Sequence, residues 1–203
     1  DRATGELLKN EDGTVKIAFA PKPSIACGTK VAEGMHIITN SKEVENCRKA
    51  VIEFLLLNHP LDCPICDKAG ECKLQEYAHK YGNAESRFVE NKNVKPKRVE
   101  VAGKIIMDSE RCIECSRCIR FCREFIGRDI FGFTKRGSKT EISVYPGGDN
   151  DSNYLLNVVD GCPVGALTEK AFRFQMRTWF LKATKSICAE SSAGVNTRVW
   201  SRE

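Results

Sequence analysis

Between Cys112 and Cys118 the chain reads C-x-x-C-x-x-C, and much further on Cys162 is followed by Pro163. Three thiols two residues apart force the backbone into a tight arc, so the sulfurs face one object and peptide amides in the arc can point at them. A distant cysteine then closes the site. This is how a [4Fe-4S] cluster is held, and burial together with hydrogen bonds to sulfur sets its potential. A single tetrahedral zinc is more often held by two separated hooks, C-x-x-C with another C-x-x-C or with a histidine pair. The compact spacing therefore favours iron-sulfur, with Cys112, Cys115, Cys118 and Cys162 as ligands. Cys122 also completes the C-x2-C-x2-C-x3-C run of two-cluster ferredoxins, where the fourth cysteine serves the other cluster and a proline follows it. Here Arg123 follows, and the sequence holds no second triple of this kind, so Cys122 reads as a buried spare.

A second constellation precedes the first. In HPLDCPICDKAGEC, residues His59, Cys63, Cys66 and Cys72 form H-x3-C-x2-C-x5-C. Alone, this pattern suits a structural zinc with three cysteines and one histidine as well as it suits a cluster, and His59 would also suit the dipole at a helix C-terminus. Beside the first constellation, the reading moves towards a second [4Fe-4S] site. A neutral imidazole in place of a thiolate removes one negative charge from the ligand shell, so such a cluster should be easier to reduce, as in Rieske centres. His36 and His79 have no cysteine at ligand spacing and read as ordinary residues.

Cysteine usage as a whole agrees. The chain has 203 residues and 11 cysteines, an odd number for a disulfide framework. It shows no signal-peptide core and no apolar run long enough to span a membrane, which points to metal binding in a reducing compartment. The formal net charge of +5 counts thiolates as neutral, so the true balance is less basic. The basic run KNVKPKR, Lys92 to Arg98, is flanked by acidic residues and has no interleaved aromatics. It reads as a solvated loop or a partner-facing patch rather than a nucleic-acid platform. No G-x-G-x-x-G, P-loop or flavin signature is present, and no residues are grouped for acid-base or nucleophilic catalysis.

The elements expected are short. Residues 1 to 39 read as strands and loops, with IAF and VAEGMHIIT as strands and Asn10–Gly13 as a turn. A helix is expected over 41–58, capped by Asn40 with Glu43 in a capping box, and burying Val44, Cys47, Val51, Phe54 and Leu55. A short helix follows around Leu74–Tyr81, and VAGKIIMD reads as a strand. Residues 132–153 are irregular, and FRFQMRTWFLKATKS is amphipathic and aromatic.

Taken in order, HPLDCPICDKAGECKLQ, SERCIECSRCIRFC, DGCPVGALT and FRFQMRTWFLKATKSIC resemble the large iron-sulfur subunits of the peripheral arm of NADH:quinone oxidoreductase, complex I. The resemblance implies one [4Fe-4S] cluster on His59, Cys63, Cys66 and Cys72 and another on Cys112, Cys115, Cys118 and Cys162. It implies an α+β fold: a remnant of a [2Fe-2S] ferredoxin-like β-grasp domain over 1–40, a small helical His/Cys3 [4Fe-4S] domain over 41–100, a ferredoxin-like [4Fe-4S] domain over 101–175, and the start of a molybdopterin-oxidoreductase-like region over 176–203. Cys27 matches the last ligand of the family's [2Fe-2S] cluster, whose other three ligands would precede Asp1. A chain that starts so abruptly reads as a piece of a longer one. At ICAESSAGVN the family's additional C-x-x-C-x3-C is lost after Cys188, leaving that cysteine without companions.

The implied function is an electron relay. Single electrons would arrive from an NADH-reduced flavin on a partner subunit and leave through other iron-sulfur subunits towards quinone. The chain would then be an enzyme only as a subunit, held at the cytoplasmic or matrix face of an energy-transducing membrane through its partners, without nucleic acid. A diaphorase subunit of an NAD-linked hydrogenase or formate dehydrogenase shares both motifs. From another class, a zinc-stabilised binding module would share the ligand types.

Overall fold

The computed structural model describes residues 9–16, 22–83, 85–147, 152–190 and 192–202, and the chain divides into two units, 1–51 and 52–203. In the first unit the Asn10–Gly13 turn forms as expected. Gly13 donates its N–H to the Asn10 carbonyl at 3.0 Å, Asp12 Oδ1 accepts from the Thr14 amide at 2.9 Å, and Lys9 bridges Val15. IAF lies outside the described residues. VAEGMHIIT forms no strand, because its residues are exposed and no described segment pairs with it; unpaired extended backbone is satisfied by water instead.

Helix α1 spans Lys42–Leu56. Its cap lies one residue later than expected: Ser41 Oγ accepts from the Val44 amide at 3.3 Å, and Glu43 and Glu45 suit the positive end of the dipole. The buried face also differs from the expected one. Val51 and Phe54 are 58% and 72% exposed and Cys47 is exposed, whereas Ile52 is buried with Leu55 and Leu56 packed beside it. Two apolar stripes lie side by side on this helix, and periodicity alone does not choose between them.

Next come α2 (Lys73–Tyr81), strands β1 (Val99–Val101) and β2 (Ile105–Met107), α3 (Arg117–Phe121), β3 (Phe131–Thr134), β4 (Glu141–Val144), α4 (Asn157–Gly161), β5 (Leu167–Glu169), β6 (Lys182–Ile187) and β7 (Asn196–Ser201). The single strand expected at VAGKIIMD is half of a hairpin. Ala102 and Gly103 take φ of 50° and 70° within the three-residue loop 102–104 that turns the chain between β1 and β2, a left-handed conformation that tight hairpin turns use. The antiparallel order is β1-β2-β5, with Met107 opposite Leu167. β3 pairs with β4, and β6 with β7, which is where the aromatic tail leads.

Ile105, Met107, Ile130, Phe131, Leu155 and Val158 fill the core of the second unit, and Cys122 is buried among them, 0% exposed. Pairing of β5 with β2 also explains how a distant cysteine reaches the arc. The Asp108 amide donates to the Ala166 carbonyl at 2.7 Å, which brings the chain just after Cys162 alongside the chain just before Cys112.

The basic run is not a free loop. Lys92 Nζ donates to the Leu56 and Leu57 carbonyls at 2.8 and 2.7 Å, and the Asn93 amide to Asn58 Oδ1 at 3.0 Å. Lys95 Nζ reaches Glu114 at 2.9 Å and the Thr140 carbonyl at 2.7 Å, while Lys97 pairs with Glu110 at 2.6 Å. The charges of its three lysines are used inside the chain, on helix-end carbonyls and acidic partners, and the run is a strap from the end of α1 to the cysteine arc.

Candidate metal centre

The arc begins after a 3-10 turn, Ser109–Arg111, capped by the Asp108 carboxylate, which accepts from the Glu110 amide at 3.2 Å. Within the arc, Glu114 and Ser116 both hold left-handed backbone, φ 55° and 58°. In non-glycine residues this conformation costs about 1–2 kcal/mol each. What they gain is direction. The two reversals bend the chain between Cys112, Cys115 and Cys118, and the Glu114 amide donates to Cys112 Sγ at 3.4 Å. Backbone amides at Ile119 beside Cys118, and at Val164 and Leu167 beside Cys162, act to lower the pKa of those thiols against their burial. Peptide amides aimed at sulfur are what the spacing predicts.

All four cysteines line one cavity, walled by Met107, Ile142 and Leu167. Burial pushes Cys112 up to about 11 and Cys118 up to about 12, and raises Cys162 as well. A thiolate in such a place is unfavourable unless a metal supplies the positive charge. Sulfurs ringing an apolar cavity, with amides already on them, fit a cluster larger than one ion. Among the described residues no three histidine, cysteine, aspartate or glutamate side chains converge as a single ion requires.

The other constellation sits between α1 and α2. His59 follows the end of α1, Cys63 opens a 3-10 turn over Cys63–Ile65, Cys66 is buried, and Cys72 caps α2. Cys72 Sγ accepts from the Gln75 amide at 3.5 Å. His59 Nδ1 is buried without a hydrogen-bond partner. Burial, reinforced by the Arg111 charge and opposed by Asp62, holds the imidazole down to about 4. It is therefore neutral near pH 7, the form that binds metals.

The aromatic tail clasps this loop, a role its sequence did not disclose. Arg177 donates to the Cys66 carbonyl and, at 2.6 Å, to the Pro64 carbonyl. The Phe174 amide donates to Asp67 Oδ1 at 3.0 Å. Trp179 covers Gly70, whose φ of 86° and lack of Cβ allow the ring to lie on the backbone.

The two constellations abut. A Cβ on Gly165 would collide with Cys66 Sγ, and Gly165 lies three residues after Cys162. Cys72, Leu74, Ile52, Val164 and Ala166 form one buried cluster against which Cys112 and Cys162 pack. Arg111, just before Cys112, pairs with Asp62, just before Cys63, at 2.8 Å. Sequence reading missed this residue because its partner is remote along the chain, although its place inside the motif was a signal. Of the remaining candidates, Cys27, His36 and His79 are exposed, and Cys188 is half-buried just after β6.

Two family profiles match the chain in order. One, described as NADH-ubiquinone oxidoreductase-G iron-sulfur binding region, covers residues 48–87, and the other, NADH-quinone oxidoreductase subunit 3, ferredoxin-like domain, covers 103–168. Among curated proteins, the G subunit of the NADH-quinone oxidoreductase of Rickettsia felis is 44% identical over 189 residues, 93% of this chain and 28% of that protein. The NADH-ubiquinone oxidoreductase 75 kDa subunit of Reclinomonas americana is 44% identical over 186 residues, 91% of this chain and 27% of that protein. The chain thus spans little more than a quarter of the length of these relatives. Among solved structures, a chain of an NAD+-reducing [NiFe]-hydrogenase in the H2-reduced state superposes with a TM-score of 0.65 at 25% identity, covering 75% of this chain and 66% of that one. Among the described residues no helix is long and apolar enough to cross a membrane.

Proposed function

Because the chain belongs, over its iron-sulfur-binding residues, to the G-type subunit family of NADH-quinone oxidoreductases, we propose that it relays single electrons from an NADH-reduced flavin on a partner subunit towards quinone. His59, Cys63, Cys66 and Cys72 would hold one [4Fe-4S] cluster and Cys112, Cys115, Cys118 and Cys162 another. When bound, the clusters supply the one-electron chemistry. The chain's own residues bury the ligands, aim amides at the sulfurs and keep water from them. The observation that carries this reading is the contact between Cys66 Sγ and the backbone at Gly165: a relay needs its carriers adjacent and insulated, and an apolar cluster joins the two ligand sets.

The finer parts of the reading belong to the same proposal. Cys27 would be the last ligand of a [2Fe-2S] cluster completed by residues preceding Asp1. The domains would run 1–40, 41–100, 101–175 and 176–203. The flavin- and NADH-binding subunit and other iron-sulfur subunits would be the partners, holding the chain peripherally on the cytoplasmic or matrix face.

Metal analysis with electron paramagnetic resonance on anaerobically reduced protein tests the cofactors: stoichiometric zinc without an iron-sulfur signal would overturn them. Cys112→Ala in an assembled complex should abolish NADH-driven quinone reduction, and normal turnover would contradict the relay. The hydrogenase likeness favours a diaphorase subunit as the second reading. A native complex that couples this chain to hydrogen rather than quinone would establish that alternative.

A further inference from the structure

Arg111 stands between the two ligand sets and belongs to neither. Its side chain is 5% exposed, and it pairs with Asp62 at 2.8 Å and with Asp108 at 3.2 Å. Desolvating such charges is costly, and apolar residues of similar volume often serve packing as well. The buried charge therefore asks for a use. Its Nε is buried with no hydrogen-bond partner, and an orphaned N–H is costly when nothing accepts it. Arg111 Cδ, one bond from that nitrogen, lies 3.6 Å from the point a Cβ on Gly165 would occupy, and Cys66 Sγ lies against the same point. The spare donor and the sulfur share one wall.

We propose that Arg111 is a positioning residue that sets the reduction potential of the cluster on His59, Cys63, Cys66 and Cys72, through its fixed positive charge and its spare Nε–H. The proposal rests on the reading that this set holds an iron-sulfur cluster. Reduction adds one electron from the neighbouring carrier and no proton, so the site becomes more negative by one charge. A fixed cation, with an N–H free to donate to sulfur, stabilises that state. Asp62 acts against it by partly neutralising the arginine.

The test uses the cluster-loaded chain in its complex, with iron and sulfide assays and a redox titration followed by electron paramagnetic resonance. Arg111→Met should keep the cluster and make it harder to reduce, lowering the reduced-to-oxidised ratio tenfold or more at fixed potential, which is about 59 mV for one electron. Arg111→Lys should fall between, keeping the charge and losing the fork. Asp62→Asn should shift the potential the opposite way. An unchanged potential in Arg111→Met with iron retained would overturn the proposal. So would a fall in both Arg111→Met and Asp62→Asn, or loss of this cluster in both Arg111→Lys and Asp62→Asn, which would make the arginine a structural clasp. Failure of the underlying reading looks different: the wild-type chain would then carry iron for one cluster rather than two.

Discussion

A missing Cβ at Gly165 keeps the two ligand sets in contact. Any side chain there would meet Cys66 Sγ and crowd Lys68, and overpacking of this kind costs typically about 1–3 kcal/mol. Gly165→Ala is therefore expected to lower iron content at the His59 set first, with a lower thermal midpoint, as measured by iron assay and unfolding. At the ligand itself, His59→Cys adds a thiolate charge to the shell. The cluster should persist with its potential lowered on the order of 100 mV, in the sense of the Rieske contrast, and a redox titration showing no shift or a rise would refute the charge argument. The candidate ligands were legible in the sequence because sulfur spacing dictates the arc. Arg111, Gly165 and Arg177 were not, because each matters through a neighbour 45 or more residues away, such as Asp62, Cys66 or Pro64.

Elements hold these residues by their ends. The last carbonyls of α1 lack helical partners, and Lys92 supplies two charged hydrogen bonds to them, just before His59. Lys92→Met should cost about 1–2 kcal/mol in denaturant unfolding, since bonds to charged groups are the stronger kind, and Lys92→Arg should recover part of it. At the β1–β2 turn the strain is of the opposite kind. Ala102 sits at φ 50° before Gly103, where asparagine is tolerated far better than alanine. Ala102→Asn should therefore raise stability by about 0.5–1 kcal/mol, and an unchanged or lower midpoint would show that the turn carries no such strain. The hairpin was hidden from sequence reading because alanine replaces the usual turn residue. The buried stripe of α1 was hidden because Ile52 and Val51 lie on adjacent stripes with equal periodicity.

At the scale of the whole second unit, the ligand sets differ in how deeply they join the common core. Cys162 and Cys112 pack against the cluster of Ile52, Cys72, Leu74, Val164 and Ala166, whereas Cys63 does not and is only half-buried. Metal binding is coupled to folding wherever ligands double as core. Loss of a ligand that helps build the common wall should therefore reach the other set, and loss of a peripheral ligand should stay local. Pattern reading separated the two sets by the 39 residues between Cys72 and Cys112 and gave no sign of the wall, because the wall exists only once β5 pairs with β2 and returns Val164 to α1 and α2. Cys162→Ala is expected to lose the iron of its own set and part of that at His59, Cys63, Cys66 and Cys72, while Cys63→Ala loses iron only from its own. Iron and sulfide per chain, with the two paramagnetic signals resolved on reduction, measure this directly. Equal, strictly local losses in both variants would mean that the two sets fold independently despite their contact at Gly165.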